Sequence, residues 1–169
     1  MTHYAFRYGY GILLVAAIAS LARPVAADFS ISYDIPAIAT LTEAEASILE
    51  EALHESAEIW ESLILGHASQ PNLSIPIRVN LTDTGLASAR PNNVRTINGF
   101  TYPTSGTVWM NREEILPATN GLGIAEGVDI ITELLAHETA HVLGFGTLWQ
   151  QNDLYVPGSG KYTGQHGLA

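Results

Sequence analysis

Apolar residues recur along this chain in three distinct patterns, and each predicts a different element. Residues 12–22 are apolar but for Ser20, a run too short to span a bilayer as a helix. Arg7 precedes the run and Val25-Ala26-Ala27 follows it, the small residues that signal peptidase reads. Residues 1–27 are therefore expected to be a cleaved signal peptide, with Asp28 opening the mature chain. After a short extended lead at residues 29–38, Thr42-Glu43-Ala44-Glu45 reads as a capping box opening a helix. That helix is expected to run to about Leu65 and stop at Gly66, with Ile48, Ala52, Ile59 and Leu63 on one face and Trp60 and Ile64 widening it. Residues 73–81 alternate as a strand does, and Pro76 confines them to an edge or a bulged start. Residues 82–98, rich in Asn, Thr, Gly and Pro, read as loop. Residues 107–111 are a second short strand, and glycines at 121, 123 and 127 loosen the approach to another helix over about 128–143. Gly144 is a suitable residue to end that helix, and Pro157-Gly158-Ser159-Gly160 reads as a turn.

Length and charge narrow what such a chain does. Its 169 residues suit one domain rather than two, the expected boundaries being 28–169 after the leader. Loss of residues 1–27 leaves 5 basic against 17 acidic residues, a net charge of −12. A surface so acidic repels phosphate backbones, which excludes nucleic acid as the expected partner. Seven glutamates between positions 43 and 61 are expected on a solvated helix face, with His54 as a surface residue among them. With no cysteine, disulfides and thiolate-ligated zinc are both excluded.

The chemistry is concentrated in His137-Glu138-Thr139-Ala140-His141, an H-E-x-x-H pattern. Residues four apart on a helix lie one turn apart, so both imidazoles can face a single ion. Zinc takes neutral histidine nitrogens readily, and a catalytic zinc needs three protein ligands plus water. Glu138 stands where it can take a proton from that water as the water attacks a carbonyl. With this composition the pattern is expected by chance only about 0.015 times in the chain. At about 100° per residue, Glu138 falls in the middle of an apolar arc formed by Leu134, Ile131, Val142 and Leu135, with His137 and His141 at its edge. A carboxylate in such a place needs a partner, because burying it unpaired is costly.

The segment TELLAHETAHVLGFGTLWQQNDLYVPGSGKYTG, residues 132–164, resembles the active-site region of leishmanolysin-like zinc metallopeptidases of the exported bacterial type. The resemblance implies a zinc-dependent endopeptidase with His137 and His141 as metal ligands and Glu138 as general base. It also implies a third ligand, for which His166, Asp153 and a residue beyond the end of the chain stay open. Thr147 stands where the metzincin spacing would place a histidine, and no methionine follows Met110. The family's C-terminal part is therefore expected to be missing from this sequence.

Together these readings predict an α+β, zincin-like fold: a small mixed sheet packed with a long N-terminal helix and an H-E-x-x-H active-site helix. The expected function is zinc-dependent hydrolysis of polypeptides outside the cytoplasm, in a secreted or periplasmic protein with no stable membrane anchor after signal cleavage. Two alternatives remain: a zinc-binding homologue that is catalytically incomplete, and an exported binding module without enzymatic activity. The strand at 107–111 carries two readings of its own, a core strand with Trp109 packed inside or an edge beside which a peptide adds as a further strand.

Overall fold

A computed structural model describes residues 28–64, 72–112 and 124–164. The expected signal peptide and His166 lie outside them. Strands β1 (Asp28–Asp34), β2 (Asn72–Thr82), β3 (Ala87–Ile97) and β4 (Phe100–Asn111) form one sheet in the order β1-β2-β4-β3. β1 runs parallel to β2 and β2 parallel to β4, while β3 pairs antiparallel with β4. Helices α1 (Glu43–Leu63) and α2 (Ile124–Val142) pack on the sheet and on each other. A small hairpin, β5 (Tyr155–Val156) with β6 (Lys161–Tyr162), follows α2. The fold is thus α+β, with a mixed four-stranded sheet and two long helices among the described residues. The long helix expected from Thr42 is α1, which does not lead the described chain: β1 comes first, and the extended lead foreseen there is an edge strand of the sheet.

Both helices cover the same face of the sheet. Ile31, Ile75, Ile77, Val79, Val108 and Met110 point to that face and join Leu49, Leu53, Ile131, Leu135 and Val142 in one core. Each such side chain contributes about 1.5–3 kcal/mol relative to exposure. The opposite face carries exposed Ser74, Pro76, Arg78 and Arg90, the period-2 alternation of a sheet wetted on one side. Trp109 belongs to this outer face, half-buried beneath the Arg90 guanidinium at 5.3 Å, and is not packed inside. Gly106 lies on the helix-covered face, where an added Cβ would collide with the side chain of Val142. Its lack of a side chain lets the end of α2 press directly onto β4.

α1 opens as expected. The Thr42 hydroxyl accepts from the Glu45 amide, and the Glu45 carboxylate accepts from the Thr42 amide at 2.8 Å. Its buried stripe is rotated from the one expected. Ile48, Leu49, Ala52, Leu53, Ser56 and Ala57 are buried, whereas Ile59 and Leu63 are exposed. Ser56 can occupy the stripe because its hydroxyl pairs with the Tyr33 hydroxyl at 3.2 Å. Most of the glutamates do face solvent, and exposed His54 pairs with Glu58 at 3.3 Å. Two are drawn inward, however: Glu61 accepts from the Ile31 amide of β1 at 2.7 Å, and Glu55 accepts from the Thr132 hydroxyl of α2 at 2.9 Å.

Two strand expectations need correction. Pro76 does not make β2 an edge, since β2 lies between β1 and β4. Pairing with β4 begins only at Ile77, so at Pro76 the strand has a neighbour on one side, and a missing amide hydrogen is tolerated there. Residues 82–98 are largely not loop. β3 occupies Ala87–Ile97 and turns into β4 through Asn98 (φ 52°) and Gly99 (φ 81°), a two-residue hairpin connection with both residues left-handed. The strand foreseen at 107–111 is the second half of β4, flanked by β2 and β3. A peptide has no edge to join there. The free edges belong to β1 and β3.

Candidate metal centre

The end of α2 is built by its glycine. Gly144 adopts φ 106°, a conformation that L side chains rarely take. From there Phe145 N donates to Ala140 O at 2.9 Å and Gly144 N to His141 O at 3.2 Å, the paired bonds of a Schellman motif. The carbonyls left over at the helix end are thereby satisfied, and the chain reverses just beyond the second histidine.

His137 and His141 lie on consecutive turns, with ring centroids 4.9 Å apart and planes at 89°. His137 is exposed and His141 half-buried. The Nδ1 atom of His141 lies 2.9 Å from the Phe145 carbonyl oxygen. A carbonyl only accepts, so the bond calls for a proton on Nδ1, and in a neutral ring that leaves the Nε2 lone pair for a ligand.

Glu138 is buried, with 6% of its surface accessible. Its place is the margin of the buried arc, not its middle. Ile130, on the histidine side, is exposed, while Val128, Ile131, Thr132, Leu135, Thr139 and Val142 are buried on the other. The carboxylate therefore borders the imidazoles. Burial pushes the Glu138 carboxyl above the ordinary glutamate range, against the opposing pull of His141 and His137. One of its oxygens, Oε2, is fully buried and has no hydrogen-bond partner among the described residues.

This donor set suits zinc as far as it goes. Two neutral imidazoles one turn apart are the ligand type that zinc prefers, and a buried carboxylate with an unused oxygen borders them. The described residues do not complete the site, for no three His, Asp or Glu side chains among them gather to hold a metal. Asp153 is consequently not brought to the histidines. It is exposed at φ 55° just before β5, and its carbonyl accepts from the hydroxyl of Thr163, just after β6. Thr147 has a different task from the histidine that the metzincin spacing would place there. Its hydroxyl donates to the His141 carbonyl at 2.6 Å.

Several supporting residues carry no sequence signal that isolates them. Tyr33 of β1 pairs through its hydroxyl with buried Thr139 at 2.9 Å, and Trp60 of α1 donates its indole N–H to the Ala136 carbonyl at 3.1 Å. Trp60 also packs against Phe145, with ring centroids at 5.5 Å. Asn152 pins the segment after α2 to the start of β4, accepting from Thr101 N at 2.6 Å and donating to Thr101 O at 2.7 Å. Between that segment and β4 lies a cavity of about 200 Å³, lined by Tyr102, Gly144, Phe145 and Trp149 among others, but not by His137, Glu138 or His141.

Compared with known proteins, the chain matches no family model, no curated protein and no solved structure.

Proposed function

We propose that this protein is a zinc-dependent endopeptidase of the zincin type that acts on polypeptides outside the cytoplasm. The observation that carries the reading is Glu138. A carboxylate buried to 6% accessibility, with one oxygen unpartnered among the described residues, stands beside two imidazoles at metal-binding spacing. A purely structural helix has no reason to keep such a group, because its desolvation goes uncompensated.

In this reading His137 and His141 hold the zinc, and a third ligand comes from outside the described residues, His166 among the candidates. Bound there, zinc would supply a Lewis acid that polarises the peptide carbonyl and acidifies water. Glu138 takes the proton of the attacking water and passes it to the leaving amine nitrogen. With β4 enclosed, an extended peptide would add at one of the free edges, β1 or β3. The expectation of export rests on residues 1–27. No helix among the described residues is long and apolar enough to cross a membrane.

Zinc content and cleavage of a denatured protein substrate test the proposal together. The wild type should hold about one zinc per chain and cleave. Glu138→Gln should keep the zinc and lose about two to four orders of magnitude in rate. Undiminished turnover in that variant would remove Glu138 from the chemistry. A second reading is a zinc-binding protein without peptidase activity, since no third donor joins the two histidines among the described residues. It predicts zinc without cleavage in the wild type. A chain that binds no zinc at all would leave the third reading, a non-enzymatic binding module.

A further inference from the structure

The four residues after α2's last turn hold one side chain, and they hold it from both ends. The His141 ring is bonded through Nδ1 to the Phe145 carbonyl at 2.9 Å, while the His141 carbonyl accepts from Gly144 N at 3.2 Å and from the Thr147 hydroxyl at 2.6 Å. The helix-ending backbone bonds orient Gly144 and the amide of Phe145. They do not orient the Phe145 carbonyl, which belongs to the next peptide unit. That unit leads into Gly146 at φ 75°, and glycine leaves it free to rotate. Two bonds close the chain over that unit: Leu148 N donates to Gly144 O at 3.0 Å, and the shorter one, from the Thr147 hydroxyl, ties the stretch to His141 itself. His137 receives no comparable support. Among the described residues its imidazole has the ring contact with His141 and no hydrogen bond.

We propose that Thr147 is a positioning residue for His141, locking the turn at residues 144–147 so that the Phe145 carbonyl fixes the Nδ1–H tautomer and presents Nε2 as a preset donor. The proposal deepens the zinc reading and rests on it for its purpose, but the tautomer itself needs no metal. Thr147 touches neither substrate nor zinc. It acts through the Phe145 carbonyl, so its loss should weaken metal binding at the lower end of the 10–100-fold range known for residues that orient metal ligands, about tenfold.

The test uses the full chain, free of metal, with nitrogen-15 shifts of the His141 imidazole read at a pH where the ring is neutral. The wild type should show the Nδ1–H form. Thr147→Val, which swaps the hydroxyl for a methyl, should show a mixture of tautomers, and Thr147→Ser should restore the single form. Zinc affinity, measured by competition with a chelator, should fall about tenfold in the valine variant and recover in the serine variant. A valine variant that keeps the wild-type tautomer overturns the proposal, as does a wild type without the Nδ1–H form. If the valine variant does not fold, Thr147→Ala against Thr147→Ser makes the same comparison with less bulk. Loss of the tautomer in a protein that binds no zinc upholds the positioning and overturns only the zinc reading.

Discussion

The two sides of α2 both bring polar groups out of water, and they treat them differently. On the side facing α1 and β1, the polar atoms just described are matched by donors or acceptors on a neighbouring element. Thr132 reaches Glu55, the Ala136 carbonyl receives Trp60, and Thr139 meets Tyr33, all within 3.1 Å. On the other side Glu138 is buried almost as deeply, yet Oε2 has no partner among the described residues. Shared helix and shared burial rule out a general looseness of packing as the cause. The fold satisfies polar groups where they serve cohesion and leaves one exposed to need where two histidines stand beside it. A buried carboxylate oxygen without a partner costs stability.

Removing the histidines is the harshest way to break the comparison. His137→Ala and His141→Ala should each abolish stoichiometric zinc by elemental analysis, since either leaves too few ligands, while exposed His137 should cost the metal-free fold almost nothing. If both variants retain about one zinc per chain, the unsatisfied side of α2 is not a metal site. Stability sharpens the contrast by sign. In urea denaturation of the metal-free protein, Glu138→Gln should gain about 1–2 kcal/mol, because a buried charge is removed without changing shape. Thr139→Val should lose about 0.5–1.5 kcal/mol, because the Tyr33 hydroxyl forfeits a bond. Two losses would mean that Glu138 is as well partnered as Thr139. The smallest effect is expected in alkali. Burial raises the Tyr33 hydroxyl above its ordinary range, against the lowering influence of its bonds to Ser56 and Thr139. The unfolded chain then ionises first and binds fewer protons, so stability should fall as pH rises above about 10. Tyr33→Phe should flatten that fall in pH-dependent melting, and an unchanged slope would place Tyr33 in water.

α2 was legible in advance because its signals are local. Helical spacing placed His137 and His141 together, and Gly144 marked the stop. The Thr42 capping box was legible for the same reason. β3 was not, since few of its side chains are large and apolar and none is buried, so no strong hydrophobic period betrays it. Its order comes from pairing with β4. The turn that makes the pairing, Asn98-Gly99 between Ile97 and Phe100, was nonetheless written in the chain and is the strongest short hairpin signal that a sequence carries. Ile59 and Leu63 misled because a helix face is decided by what packs on it. Ser56 took a core position through a partner 23 residues away. The device around His141 was invisible for a simpler reason: its acceptor is the main chain of Phe145, and main chain has no spelling.

Gly106 and Val142 have a mechanical side as well. Val142 follows His141 directly, and it rests on the sheet at the one point where β4 has no side chain. The depth of that seat sets the height at which the second imidazole stands above the strands, much as a shim sets the clearance of a bearing. Glycine is the thinnest shim available. Any residue larger than it at position 106 would lift the last turn of the helix at its hinge with the turn that follows, and the histidine would ride up with it while the rest of the sheet stayed where it was.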